Sequence, residues 1–164
     1  MVQIQRRYNQ DPEPGVIIII QVESMTQTYI TMTVIKTKRA YDTPDESDGY
    51  RILVDRLWPR GLSHERLDCQ LWEKALAPST QLREWFHADS PARWDEFKTR
   101  YVAELESSPE LAAFLELLRK HPVVTFVYGS RDEIHNEATV LQRFCEMKLN
   151  RDCEKQVVLD TSKQ

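Results

Sequence analysis

Glycine is scarce in this chain, with four residues in 164, at Gly15, Gly49, Gly61 and Gly129. A phosphate loop or a dinucleotide turn needs glycines clustered within a few positions, so that the backbone can approach phosphate oxygens. These four are too widely spaced for either, and there is no Gly-x-Ser-x-Gly nucleophile elbow. Cysteine is also sparse. Cys69, Cys145 and Cys153 are odd in number and show no Cys-x-x-Cys spacing, which removes a disulfide framework and a thiolate metal site and points to a reducing, cytoplasmic setting. Long apolar runs are missing too. Val16–Ile20 falls far short of the roughly 20 residues that span a bilayer. It is also too short for a secretory signal, and Asp11 and Glu13 precede it. Finally, there is no basic surplus. With 22 Lys and Arg against 26 Asp and Glu, net charge is −4, so no global field holds duplex nucleic acid by counterion release. A local basic patch stays open. No membrane partner and no cofactor are expected, and no His, Cys or carboxylate spacing recommends a metal.

What is present is the balance of an ordinary globule, 41% hydrophobic and 29% charged, long enough for one full core. Residues 1–31 read as an N-terminal extension with scope for partial disorder, in which Gly15–Val22 is either an added strand or an aggregation-prone run. Residues 32–150 read as a single α/β domain, and residues 151–164 as a polar tail. Thr31–Lys38 is a first strand. Tyr50–Arg56 is a second, apolar on both faces at Ile52, Leu53 and Val54, as suits a central parallel strand. Val123–Tyr128 is a third.

Between the strands lie helical signals. Ser63 can cap a short helix, and Leu71–Leu76 reads as another turn or two. Ser79 can cap a helix bearing Leu82, Trp85 and Phe86. Ser90-Pro91 and Ser108-Pro109 read as helix starts, since proline suits the first helical position. Trp94, Phe97, Tyr101 and Leu105 recur at helical spacing, as core rather than a base-stacking surface. The last helix carries Ile134, Ala138, Leu141 and Cys145, with Asp132 and Glu133 at its start. Strands separated by helices predict a small α/β sandwich with a mostly parallel sheet flanked by helices.

Two strand ends could carry chemistry, because ligands bind beyond the carboxyl ends of such strands. The first gives Asp55, Arg56, Trp58 and Arg60. Two guanidinium forks there are costly to desolvate unless an anion meets them, either an internal one or a ligand. The second gives Ser130, Arg131 and Asp132, then His135 and Asn136 in the first helical turn. If the strands are parallel neighbours, the clusters adjoin and suit an anionic small molecule, such as a phosphate, nucleotide or carboxylate. In that reading Arg56 and Arg60 hold the anion, with Trp58, Ser130, Arg131 and Asn136 beside it. Asp55 orients an arginine, and His135 is the acid or base if chemistry follows. Each residue also has a structural reading. Asp55 and Arg56 can pair with neighbouring charges, Trp58-Pro59 can be a packing wedge, Arg60 can be solvated, and Asn136 can cap or brace its loop. A non-catalytic nucleic-acid-binding module, or an accessory interaction protein, is the alternative.

Four motifs carry a resemblance: Arg51-Ile-Leu-Val-Asp-Arg-Leu-Trp-Pro-Arg-Gly61, Leu76-Ala-Pro-Ser79, Trp85-Phe86 and Asp132-Glu-x-His-Asn136. Over about Val34 to Leu149 the chain resembles the YeaO-like branch of the domain of unknown function 488 family. The resemblance implies a compact, cytoplasmic, mostly bacterial α/β domain and no established reaction. The wider family often has a cysteine ending the late strand and a Cys-His-Arg run at the helix start. Here Tyr128 ends the strand and Asn136-Glu137-Ala138 replaces the run, with His135 kept. That departure argues against thiol chemistry and leaves an arginine, histidine and asparagine pocket.

Overall fold

A computed structural model describes the backbone of residues 3–8, 16–21 and 28–161 and the side chains of residues 32–152. The described strands form two sheets. One is an antiparallel meander of β1 (Gln3–Tyr8), β2 (Val16–Gln21) and β3 (Thr28–Met32). The β-branched run is therefore an added strand, β2, paired along both edges. The expectation of partial disorder covers residues 1–31, of which 1–2, 9–15 and 22–27 lie outside the described residues.

The other sheet is wholly parallel. Its strands β4 (Val34–Arg39), β5 (Tyr50–Leu53), β6 (Leu71–Trp72) and β7 (Val123–Tyr128) run in the order β4-β7-β5-β6. Five α-helices accompany them: α1 (His64–Leu67), α2 (Thr80–His87), α3 (Trp94–Ser107), α4 (Leu111–Arg119) and α5 (Glu137–Thr161). This is the expected α/β sandwich. The six residues of β7 are all buried, because the strand is paired on both edges and covered on both faces.

Alternation along the central strands separates two cores. Ile52, Val54, Val124, Phe126 and Tyr128 meet the apolar stripes of α2 to α5, including Phe86, Phe97, Tyr101, Leu118 and Leu141. Leu53 and Val127 face the other way and pack with Leu62 and Leu67. Arg51 belongs to that second face. It is 2% exposed, yet its guanidinium pairs with Asp48 and donates to the carbonyls of Leu67 and Asp68 at 3.0 Å each. Burial pushes the Asp48 carboxyl up, but Lys38, the Asp45 N–H and Arg51 together hold it below the usual carboxylate range.

Several boundaries differ from the sequence reading. The first predicted strand is split at Thr33, whose hydroxyl donates to the Leu118 carbonyl at 2.8 Å. The second ends at Leu53, although Val54 still donates to the Val127 carbonyl at 3.0 Å. Leu71–Trp72 is not helical. The two residues pair with Ile52 and Leu53, and this sheet partner outweighs a weak local helix pattern. Ser90-Pro91 opens a turn, not α3, which starts at Trp94 once the Arg93 N–H has closed on the Asp89 carbonyl at 3.1 Å. The last helix begins at Glu137, so Asp132, Ile134 and His135 lie in the loop before it. Ile134 is 68% exposed rather than part of the core stripe. Cys145 is buried within the main core, as its place on the apolar stripe predicts.

Two glycines take left-handed backbone, Gly49 at φ 63° and Gly61 at φ 76°. A Cβ on Gly49 would stand 2.3 Å from the Val123 carbonyl oxygen, whereas one on Gly61 meets nothing within 4 Å. Gly61→Ala should cost about 1–2 kcal/mol, the left-handed penalty alone. Gly49→Ala should cost clearly more, since backbone must also move. Urea denaturation checks the order, and equal losses would refute the steric account.

Candidate functional site

Strands β5 and β7 are parallel neighbours, so the loops that leave their carboxyl ends emerge side by side. Asp55 ties the two together. Its Oδ2 accepts from the Gly129 N–H at 2.8 Å. A Cβ on residue 129 would lie 3.0 Å from that oxygen, so the lack of a side chain at Gly129 permits the approach. Asp55 Oδ1 is buried with no donor against it. The carboxyl meets the side chain of Glu137, the first residue of α5. Two facing carboxyls need a proton between them. Burial, then repulsion by Glu137, pushes Asp55 up to about 9, against the weaker pulls of the Gly129 N–H and Arg83. Asp55 is thus a neutral hydrogen-bond donor at neutral pH. Arg83 on α2 completes the group, and its Nε is buried without an acceptor.

Arg56 turns toward the main core. Its Nε donates to the Pro78 carbonyl at 2.8 Å and one terminal nitrogen to the Ala77 carbonyl at 3.2 Å. It lines a cavity of 250 Å³ together with Leu76, Ser79, Tyr101, Glu104 and Ser108. Ser79 is the N-cap of α2, accepting from the Leu82 N–H. It also holds Glu104, donating its own N–H at 2.8 Å and its hydroxyl at 2.6 Å to the carboxylate. A carboxylate is favourably placed at a helix N-terminus. Tyr101 is fully buried and donates to the Leu76 carbonyl at 2.8 Å.

The remaining residues singled out in the sequence lie elsewhere. Trp58 is a packing wedge: its indole donates to the Leu62 carbonyl at 2.7 Å and its ring meets Trp72 edge-on in the second core. Arg60 is exposed, and its carbonyl accepts from the Tyr41 hydroxyl at 3.2 Å. Arg131 is exposed, while the Ser130 carbonyl accepts from Arg39 at 3.1 Å. Asp132 clasps its own loop, accepting from the N–H groups of Ile134 and His135 and from the His135 ring, contacts that draw its carboxyl down to about 2. His135 also stands edge-on to Trp94 at 5.0 Å between centroids. Asn136 caps α5, accepting from the Thr139 N–H at 3.0 Å. Asp55 thus joins the two loops, but Arg56 and Arg60 do not form one clamp.

Glu137, Arg83, Ser79 and Glu104 complete the carboxyl edge and were not singled out as site residues in the sequence. Glu137 had a faint signal, a charge beside the cap Asn136 and directly before the core residue Ala138. Arg83 and Glu104 had none, since each reads as the polar side of an amphipathic helix. Among the described residues no cluster of His, Cys, Asp and Glu could hold a metal ion. Neither described thiol is activated. Burial pushes Cys69 up to about 11 and Cys145 higher still.

An α/β domain with an all-parallel sheet and a part-buried carboxyl pair at its carboxyl edge is the class these residues define. Residues 34–161 match the family described as the inactive DUF488-N3 subclade, and the chain belongs to that family. It is 40% identical over 107 residues to the uncharacterized protein YeaO of Escherichia coli K12, covering 65% of this chain and 92% of that one. It is 42% identical over 109 residues to the uncharacterized protein Rv3073c of Mycobacterium tuberculosis H37Rv, covering 66% of this chain and 91% of that one. No solved structure matches the chain significantly.

The proton of Asp55 sets a pH dependence. In the unfolded chain the group titrates near 3.8, and in the folded chain at about 9. Between those values the folded state binds more protons, so this contribution is complete below the lower value and fades as pH rises toward the upper. Stability of the unmodified chain should fall between about pH 5 and about pH 9. Asp55→Asn mimics the protonated form, with its oxygen for Gly129 and its amide for Glu137, and should flatten that slope. Thermal melts across this range check it, and an unchanged slope in the variant would remove Asp55 as the cause.

Proposed function

We propose that the chain is a non-catalytic binding domain that takes a small anion, a carboxylate or a phosphate, in the Arg56 cavity at the carboxyl edge of the sheet. The observation that carries this reading is the guanidinium of Arg56. It is half-buried, lines a polar cavity and spends two of its five N–H donors on carbonyl oxygens. No carboxylate pairs with it among the described residues, so donors of its planar fork remain for an anion. At 250 Å³ the cavity lies below the roughly 300–1,000 Å³ of sites for drug-sized ligands, which favours a small metabolite over a nucleotide.

Binding without turnover is favoured for three reasons. The described thiols are unactivated, His135 is engaged by Asp132, and Asp55 is occupied in its carboxyl pair. The family's description as inactive agrees with this. We place the domain in a reducing, cytoplasmic setting, a reading supported by the free thiols of Cys69 and Cys145. Among the described residues no helix is long and apolar enough to cross a membrane.

The test is melting-temperature shift against inorganic phosphate, small carboxylates and short oligonucleotides at two salt concentrations. A ligand at 100 times its dissociation constant adds about 2.7 kcal/mol, a shift of several degrees. The expected result is a salt-tolerant shift with a small anion, lost in Arg56→Lys, which keeps the charge but not the fork. A shift with oligonucleotides alone, abolished by salt, would replace this reading with nucleic-acid binding. No shift with any anion would overturn it.

A further inference from the structure

The cavity beside Arg56 holds a second charge of opposite sign. Glu104 lines the same space, half-buried, with its two oxygens held by the Ser79 N–H and hydroxyl. Both of those donors are neutral. Each carboxylate oxygen keeps a further lone pair, and no Lys, Arg or His pairs with Glu104 among the described residues. Arg56 and Glu104 do not form an ion pair with each other either, although both border one small cavity. Two half-buried charges of opposite sign would ordinarily pair, because each is partly stripped of water. Here each is instead fixed by neutral neighbours, Arg56 by the carbonyls of Ala77 and Pro78 and Glu104 by Ser79, which belong to one short turn. That turn holds the charges apart around an open space.

We infer that this cavity takes a small zwitterion, of the class of free α-amino acids, whose carboxylate meets Arg56 and whose ammonium meets Glu104. The inference rests on the anion-binding reading above and adds the partner for the second charge. Two groups of opposite sign on one compact ligand satisfy both residues at once. A simple carboxylate leaves Glu104 without a cation, and a simple amine leaves Arg56 without an anion. Glu104 is the charged acceptor on this cavity wall, and a carboxylate attracts an ammonium more strongly than a neutral carbonyl does. The apolar wall supplied by Leu76 and Leu105 leaves room for a small side chain and disfavours a second charge there.

Calorimetric titration of the full chain with glycine, alanine, acetate, methylamine and inorganic phosphate tests this. Glycine or alanine should bind at least roughly tenfold more tightly than acetate, the effect of one charge-assisted hydrogen bond. Methylamine should not bind measurably. Glu104→Gln keeps an oxygen for Ser79 and removes the charge, and should bring glycine down to the level of acetate. Should that variant fail to fold, the ratio of glycine to acetate in the unmodified chain decides alone. Equal binding of acetate and glycine, or binding of phosphate only, would overturn the zwitterion while leaving the anion site standing. No binding of any carboxylate or phosphate would remove both.

Discussion

The carboxyl edge of the sheet depends on one hydrogen bond, from the Gly129 N–H to Asp55 Oδ2. Parallel strands share no turn, so nothing in the chain's local geometry brings the ends of β5 and β7 together once their ladder stops. The ladder makes its last contact from Val54 to Val127, and the Asp55 side chain continues it one step further. Without that acceptor a part-buried backbone N–H loses its partner, at a cost of about 1–3 kcal/mol. The same side chain carries the proton that lets Glu137 approach, and Glu137 starts α5. A single neutral carboxyl therefore sets the spacing of two strand ends and a helix N-terminus.

The two faces of the sheet solve different problems. Toward α2 to α5 the surface is apolar, and aromatic rings such as Phe86, Phe97 and Tyr101 fill it. Toward α1 the strand presents Arg51, a residue whose burial is tolerable only with full pairing. Asp48 neutralises it, and the carbonyls of Leu67 and Asp68 at the end of α1 each take one further donor, where a cation is favoured. A short helix with four residues gains its anchor from this contact rather than from its own length. The order of events in the sequence follows: an arginine inside a strand, a turn, then a helix whose last carbonyls that arginine holds.

Much of the fold is readable from the sequence because its signals are local. Ser63 and Ser79 cap the helices they precede, and Val123–Tyr128 is a buried strand. What is missed is nonlocal. Leu71–Trp72 is a strand only because Ile52 and Leu53 lie alongside, and no pattern within Leu71–Leu76 announces that. The site divides in the same way. Asp55, Arg56 and Asn136 stand out by their position after strands or before a helix. Glu104 and Arg83 do not, because a charged residue on an amphipathic helix gives no sign of which neighbour it will face. Trp58 and Arg60 follow the same strand end as Asp55 and Arg56, yet the fold uses one as a wedge and leaves the other in solvent.

Strand β6 has two residues, the smallest ladder a sheet can close on. At the opposite margin β4 carries Lys36, Lys38 and Arg39 in four positions, with Lys38 bound to Asp48. A foreign strand seeking to extend the sheet would find almost no backbone to read on one side and a row of cations on the other. Both margins of this sheet thereby discourage strand-by-strand growth of one copy onto another.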